Sequence, residues 1–91
     1  MKLNEIVFID SFPSLDLHGF DQDYAALKIN EFIKDNYIMG NINVVIVHGI
    51  GGGTIKKTTQ ETLMKNKLVV DYKMFPGNVG CTIVEIMKKK M

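Results

Sequence analysis

Residues 42–47 read Ile-Asn-Val-Val-Ile-Val, a nearly continuous run of β-branched side chains. Such a run is typical of a strand that is covered on both faces in a parallel sheet, so we expect this strand to be central. It leads into His48 and the segment 49–53, where four of five residues are glycine. Glycine permits positive φ angles, so this segment predicts a turn, after which Thr54 would cap a helix that runs to about Lys65.

The remaining predicted elements lie on either side of this strand. Alternating apolar and polar side chains indicate strands, and apolar side chains at helical spacing indicate helices. The chain is therefore assigned a strand over 14–18, a helix over 21–39, and a hairpin of strands 68–74 and 81–87 around the turn 76–78. Asp21 is an acceptable N-cap for the first helix, and Gly40 stands where a left-handed residue is wanted. The buried helix faces are predicted to be Ala25, Ile29, Phe32 and Ile33, then Ile55, Thr59 and Leu63.

The order β-α-β-α-β-β predicts an α/β fold. We expect a two-layer α/β sandwich in which both helices cover one face of a mixed four-stranded sheet. A chain of 91 residues has room for one such domain and not for two. We assign residues 14–87 to the domain, residues 1–13 to an N-terminal extension or to an edge strand over 3–9, and residues 88–91 to a basic tail.

Cysteine usage and hydropathy indicate in which cellular compartment the protein is expected. Cys81 is the only cysteine, so an internal disulfide and a cysteine-based zinc site are both excluded, and a reducing cytoplasm is expected. An acid at Glu5 precedes any long apolar run, and no stretch approaches the roughly 18 apolar residues of a membrane span. The sequence therefore predicts a cytoplasmic protein with no membrane partner.

The charges are divided unequally between the two halves of the chain. Residues 1–45 hold three lysines and seven acids, a net charge of −4, whereas residues 46–91 hold eight lysines and three acids, a net charge of +5. The basic half could attract a polyanion such as nucleic acid, although lysines that are simply solvated are the more common explanation of such a pattern. The chain contains no arginine, which argues against bidentate, sequence-specific DNA contacts.

The carboxyl ends of the first two strands are predicted to form a shared edge, which we call the rim (residues 16–19 and 48–53). A right-handed crossover through the first helix makes these strands parallel, so their ends meet. The second helix also begins there, and its free amides favour an anion such as phosphate. Its glycines match neither a P-loop nor a dinucleotide fingerprint, because both motifs fail at Thr54.

Asp16 and His18 are the acid/base candidates of the rim. Two residues apart in a strand, their side chains would point to the same side, where a carboxylate can orient an imidazole. Simple hydrogen bonding at the strand end remains the alternative that this spacing leaves open.

These motifs resemble the Smr domain, the small MutS-related module found at the C-terminus of MutS2-type proteins and as stand-alone proteins. The resemblance rests on Leu15-Asp16-Leu17-His18-Gly19, on His48-Gly49-Ile50-Gly51, and on Asn78, Gly80 and residues 82–86, and it covers about residues 14 to 86. It implies an α/β sandwich like the C-terminal domain of bacterial translation initiation factor three.

The resemblance also implies nucleic-acid processing by nicking DNA or cleaving RNA. By position it assigns catalysis to Asp16 and His18, and contact with the substrate backbone to the second motif. Ile50 replaces the basic residue usual there, and Gly52 stands where threonine is common. We therefore add Lys56 and Lys57, in the first turn of the next helix, to the predicted binding residues as a substitute for the missing positive charge. The predicted nucleic-acid-binding residues are His48, Gly49, Gly51, Gly52, Gly53, Lys56, Lys57 and Asn78.

The leading hypothesis is a small endonuclease that hydrolyses phosphodiester bonds. His18 would act as general acid or base, and Asp16 would orient it or hold a divalent cation such as Mg²⁺ or Mn²⁺, with metal dependence left open. The first alternative is a non-catalytic module that binds structured RNA, branched DNA or the ribosome. The second is an interaction domain within a larger machine. The choice between DNA and RNA, and between a monomer and a weak oligomer, stays open.

Overall fold

The computed structural model describes residues 11–50, 53–75 and 78–89, the last segment without the side chains of residues 78 and 79. Within these ranges the elements follow the predicted order β-α-β-α-β-β. They are β1 (Ser14–Asp16), α1 (Gln22–Met39), β2 (Asn43–Val47), α2 (Thr54–Lys65), β3 (Val69–Phe75) and β4 (Asn78–Ile86). The predicted edge strand over 3–9 lies outside the described residues.

The four strands form one mixed sheet in the order β1-β2-β4-β3. β1 pairs with β2 in parallel, and the β2–β4 and β3–β4 pairs are antiparallel. The β-branched strand β2 thus lies inside the sheet, as its composition predicts. The parallel pair brings the carboxyl ends of β1 and β2 to one edge, so the predicted rim is present.

Both helices cover the same face of this sheet. Their inward side chains join those of the strands in one buried cluster, and burying each large aliphatic side chain contributes roughly 1.5–3 kcal/mol. The cluster consists of Leu17, Ala25, Ile29, Ile33, Val44, Ile46, Leu63, Val84 and Ile86. Phe32 and Ile55 pack against it, and Thr59 is buried as well, so the predicted inner faces of both helices are confirmed.

The opposite face of the sheet carries a smaller apolar cluster. Ile83 of β4 is completely buried there, with Phe12 and Phe75 packed against it. Val45 pairs with Ile83 across β2 and β4 and is also buried. Coverage on both faces explains why β2 has no polar alternation between residues 44 and 47.

The helix ends agree with the sequence in one case and differ in the other. The Asp21 carboxylate accepts a hydrogen bond from the Tyr24 N–H at 2.8 Å, and Gly40 has a left-handed φ of 83°, as predicted for α1. In α2 the residue before the helix is Gly53, with a φ of 81°, so the prediction that Thr54 is the N-cap is wrong. The chain enters the helix through a left-handed glycine, and Thr54 is already helical.

Two strand boundaries also differ from those expected. β1 ends at Asp16, because a turn closes immediately after it when the Phe20 N–H donates to the Leu17 carbonyl at 3.0 Å. β4 begins at Asn78, three residues before the predicted start, since Phe75 and Asn78 already pair. Asn78 is therefore a strand residue, while Pro76 and Gly77 of the predicted turn lie outside the described residues.

The start of the basic tail contacts the body of the domain. The Lys89 Nζ donates to the Ile38 carbonyl at 2.9 Å, near the end of α1 where helix carbonyls lack helical partners. Within residues 11–50, 53–75 and 78–89, no helix is long and apolar enough to cross a membrane.

Candidate functional site

The two histidine–glycine motifs lie side by side at the rim. Asp16 is in register with Val47, and the Leu17 N–H donates to the Val47 carbonyl at 2.9 Å. The chains that continue into His18 and His48 therefore leave the sheet next to each other. The parallel pairing predicted from the crossover rule brings them together.

A tight turn presents His18 to solvent. The Asp16 Oδ1 accepts a hydrogen bond from the backbone N–H of His18 at 2.9 Å. The turn from Leu17 to Phe20 contains Gly19 with a φ of 82°, while His18 does not have a positive φ. These angles define a type II turn, in which the third residue must adopt a positive φ and is therefore best a glycine. The exposed side chain of His18 stands at the corner of this turn.

The Asp16 carboxylate thus contacts the backbone of His18. A pairing of this carboxylate with the imidazole was expected from their spacing in a continuous strand, but the strand ends at Asp16. The observed contact is the strand-end hydrogen bond that the spacing left open. Asp16 consequently fixes the loop that carries His18.

The side chain of Asp16 lies on the sheet face opposite the helices. Leu15 packs on the helix side, and alternation along β1 places Asp16 on the other side, in the row of Val47 and Cys81. Burial raises the pKa of the Cys81 thiol, and the negative charge of Asp16 raises it further. Sequence reasoning missed this neighbour, because only the register of β2 against β4 places Cys81 near the rim.

His48 has a structural role that its sequence motif does not indicate. Its side chain is buried, with only 9% of the residue exposed, and its Nε2 lies 2.8 Å from the Thr82 Oγ1. Its Nδ1 lies 3.0 Å from the carbonyl oxygen of Gly49. A carbonyl can only accept, so Nδ1 carries the hydrogen of that contact, and Nε2 forms the second hydrogen bond with the Thr82 hydroxyl.

The predicted contact of His48 with nucleic acid stays a prediction, and the structure limits it to groups other than the ring nitrogens. Both ring nitrogens already have partners inside the protein, so neither is left for a phosphate. The backbone N–H groups of His48 and Gly49 also donate to the Gly80 carbonyl, at 2.9 and 3.0 Å. His48 and Gly49 thus anchor the start of the glycine-rich loop to β4.

The residue after this anchor is Ile50, and the described chain resumes at Gly53, just before α2. Ile50 is 75% exposed, and the predicted binding residues Gly51 and Gly52 lie outside the described residues. Gly53 precedes the helix as its N-cap residue and has no side chain that could cap the first turn. The first amides of α2 point toward the rim, which favours an anion.

The other predicted binding residues lie around this helix end and the hairpin. Lys56 is half-buried and Lys57 is exposed, both in the first turn of α2. Asn78 starts β4, which runs antiparallel to β2, so it reaches the rim edge two residues before Gly80. The structure thus gathers Asp16, His18, Gly53, both lysines and the backbone of Asn78 at one end of the molecule.

The described residues contain no group of three or more His, Cys, Asp or Glu side chains that could hold a metal ion. The exposed Asp16 carboxylate could supply one ligand at the rim. Mg²⁺ is commonly held by one or two carboxylates, with water and substrate phosphates as its other ligands. A single carboxylate at this position is compatible with a cation that arrives with the substrate.

Fold and rim together define a small α/β sandwich domain whose polar and glycine-rich segments meet at the ends of two parallel strands. A sequence model of the Smr domain matches residues 15–87. The chain belongs to the Smr domain family.

Curated relatives carry this domain within much longer proteins. The chain is 35% identical over 80 residues to the protein named Endonuclease MutS2 of Alkaliphilus metalliredigens, an alignment that covers 85% of this chain and 10% of that protein. It is 35% identical over 77 residues to Endonuclease MutS2 of Caldanaerobacter subterraneus subsp. tengcongensis, which covers 81% of this chain and 10% of that protein. The chain thus spans about a tenth of the length of these relatives.

Solved structures confirm the fold class. The Smr domain of Thermus thermophilus MutS2 superposes with a TM-score of 0.78 at 25% identity, over 81% of this chain and 96% of that chain. YdaL, a stand-alone small MutS-related protein from Escherichia coli, gives a TM-score of 0.77 at 23% identity, over 87% of this chain and 70% of that chain. The α/β sandwich is therefore shared by the embedded and the stand-alone forms.

Proposed function

We propose that this chain is a small endonuclease that hydrolyses phosphodiester bonds of DNA or RNA at the rim. The observation that carries the proposal is the exposed His18, held at the corner of a tight turn by the Asp16 carboxylate. Relatives that share this domain bear the name endonuclease. An exposed imidazole on a fixed turn, at the same edge of the sheet as an anion-favouring helix end, is a suitable arrangement for acid/base chemistry on a phosphate.

His18 is the proton carrier in this mechanism. Hydrolysis requires water to attack the phosphorus and the leaving oxygen to gain a proton when the P–O bond breaks. An imidazole can take the proton from the water or give one to the leaving oxygen near neutral pH. Asp16 supports this step through the backbone of His18, and its second oxygen could bind Mg²⁺ or Mn²⁺.

The beginning of α2 positions the phosphate. Its first amides and the positive end of its dipole face the rim, and its N-cap residue, Gly53, has no side chain to cap them. Lys57 is exposed in the same turn and adds a positive charge. The anchored residues His48 and Gly49 hold the start of this loop against β4. The loop contributes backbone groups and position to phosphate binding, and the lysine contributes charge.

The second candidate function is a non-catalytic module that binds structured RNA, branched DNA or the ribosome. Three observations favour it. Both nitrogens of the His48 ring have partners inside the protein, and an apolar Ile50 stands two residues further along the chain. The chain also lacks arginine, so few fixed charges can stabilise a transition state. A module of this kind would retain a nucleic acid without cutting it.

Cleavage and binding assays on the same preparations separate these functions. Supercoiled plasmid and single-stranded RNA are incubated with the protein, with and without a chelator, and parallel samples are examined by gel shift. The proposal predicts cleavage. A shifted band without cleavage supports the binding module. If the protein neither cleaves nor shifts the nucleic acids, the result favours the interaction domain.

Two substitutions at Asp16 then separate its roles. Asp16→Asn keeps an oxygen that can accept from the His18 N–H but removes the charge, whereas Asp16→Ala removes both. If the carboxylate holds a cation, both variants lose cleavage. If the carboxylate only fixes the turn, Asp16→Asn retains cleavage and Asp16→Ala loses it. Asp35→Asn, at an exposed acid of α1, is the matched control and leaves cleavage unchanged.

A further inference from the structure

Ile50 is the most exposed of the large apolar side chains that the structure describes. It is 75% exposed, compared with 67% for Met64 on α2 and 65% for Met39 on α1, and of these three only Ile50 lies at the rim. It follows the anchored pair His48-Gly49 and lies between the β2 end and the start of α2. The proposed reaction site therefore has an apolar side chain in its loop.

The backbone before Ile50 is held in place by hydrogen bonds. The N–H groups of His48 and Gly49 share the Gly80 carbonyl, and the Gly49 carbonyl accepts from the His48 ring. Gly49 also has a φ of 83°. The exposed Ile50 side chain therefore follows directly after an anchored pair of residues.

The chemistry of this side chain limits what it can recognise. An aliphatic group offers no donor or charge to a phosphate and gains free energy only by removing apolar surface from water. On a nucleic acid the matching surface is the face of a base. Duplex bases are stacked against each other, and their faces become accessible where a base is unpaired or unstacked.

We propose that Ile50 packs against an unpaired base of the substrate and makes the site selective for single-stranded or locally opened nucleic acid. This inference rests on the proposed function, because it requires that nucleic acid bind at the rim. It assigns a contact to the position where the chain departs from the usual basic residue of the second motif. The lysines of α2 then supply the charge, and Ile50 supplies the selectivity.

The test compares binding of a labelled single-stranded oligonucleotide with binding of the blunt duplex of the same sequence. Wild type, Ile50→Ala and Ile50→Lys are measured by fluorescence anisotropy over a range of salt concentrations. Val70→Ala is the matched control, because Val70 is also exposed and β-branched but lies near the opposite end of the sheet, beside the Val69–Ile86 pair.

The proposal predicts that Ile50→Ala weakens binding of the single strand about fivefold and leaves duplex binding and the salt slope unchanged. Ile50→Lys also weakens single-strand binding, despite its added charge, and Val70→Ala changes neither form. The proposal is overturned if Ile50→Ala binds the single strand like wild type. It is also overturned if Ile50→Lys tightens both forms and steepens the salt slope by about 0.7–0.9, since Ile50 then lies at a phosphate.

The same experiment distinguishes failure of the proposed function from failure of the role of Ile50 alone. Wild-type protein that binds neither form contradicts nucleic-acid binding at the rim and the role of Ile50 together. Wild-type binding that is indifferent to Ile50→Ala contradicts the role of Ile50 alone and leaves the proposed function standing.

Discussion

His18 and His48 each precede a glycine just beyond a parallel strand, yet their rings have opposite environments. The His18 ring is exposed on a type II turn, whereas the His48 ring is buried between Thr82 and the Gly49 carbonyl. A ring with both nitrogens satisfied inside the protein contributes to stability and loop geometry. An exposed ring at the same edge can exchange protons with a substrate. The two histidines therefore have separate roles.

The structural role of His48 can be tested through Thr82. Thr82→Val keeps the shape of the side chain but leaves the His48 Nε2 buried without its hydrogen-bond partner. We expect the free energy of unfolding in urea to fall by roughly 1–3 kcal/mol. Thr62→Val, at a half-buried position of α2, is the control and should change it by less than about 0.5 kcal/mol. Equal effects of the two substitutions would contradict this role.

Cys81 reports on the charge of Asp16 at the same face of the sheet. Burial and then the Asp16 carboxylate raise the pKa of its thiol, so less thiolate is present at a given pH and alkylation by iodoacetamide is slow. Asp16→Asn should move the pH profile of alkylation to lower pH. An unchanged profile would contradict the proximity of the two side chains.

The same raised pKa affects stability at alkaline pH. The folded state holds this proton more tightly than the unfolded state, so its stabilising contribution is complete below the usual thiol pKa and is lost as pH rises through the raised value. Cys81→Ala should therefore lose less stability than wild type between neutral and alkaline pH in urea unfolding. Identical losses would contradict the shift.

At the scale of the elements, the entry into α2 is the feature most closely tied to the site. Gly53 has a φ of 81°, and a Cβ added there would meet nothing within 4 Å. The cost of Gly53→Ala is therefore backbone strain alone, about 1–2 kcal/mol. We expect the substitution to weaken nucleic-acid binding as well, because relief of the strain displaces the first amides of the helix.

Gly40 provides the matched control for this prediction. It has a φ of 83° with equally open space around its Cβ position, but it ends α1 at the opposite end of the molecule. Gly40→Ala should lower the free energy of unfolding by a similar amount and leave binding of nucleic acid unchanged. If both variants bind alike, the helix entry does not position the phosphate.

The helices and strands show which parts of the fold are determined by the local sequence. Both ends of α1 were predictable, since a carboxylate cap and a left-handed glycine act within a few residues. The inner position of β2 was predictable from its composition. The early end of β1 and the glycine entry into α2 were not, because apolar alternation and a threonine favoured other boundaries. The early end of β1 is set by the backbone hydrogen bond that closes the turn from Leu17 to Phe20.

The candidate site was predictable only in outline for a related reason. The crossover rule places His18 and His48 at one edge, and the structure confirms this. The partner of the His48 ring is Thr82, 34 residues away, and the neighbour of Asp16 is Cys81 on β4. These contacts depend on the register of antiparallel strands, which residue spacing alone does not specify.

At the scale of the whole molecule, charge and fold are arranged around one end. The acidic half of the sequence includes α1, whereas the basic half includes α2 and the hairpin. We expect a polyanion to approach the rim from its α2 side. His18 lies on this rim, just beyond the carboxyl end of β1.

The rate of phosphodiester cleavage by His18→Ala relative to wild type tests the central claim most directly. The His18 side chain is exposed and only its backbone holds the turn, so the variant should fold with unchanged stability. On a substrate that wild type cleaves, the account predicts that His18→Ala cleaves at least about 100-fold more slowly and still binds the substrate. Cleavage by His18→Ala at the wild-type rate, or a wild type that binds but never cleaves, would contradict it.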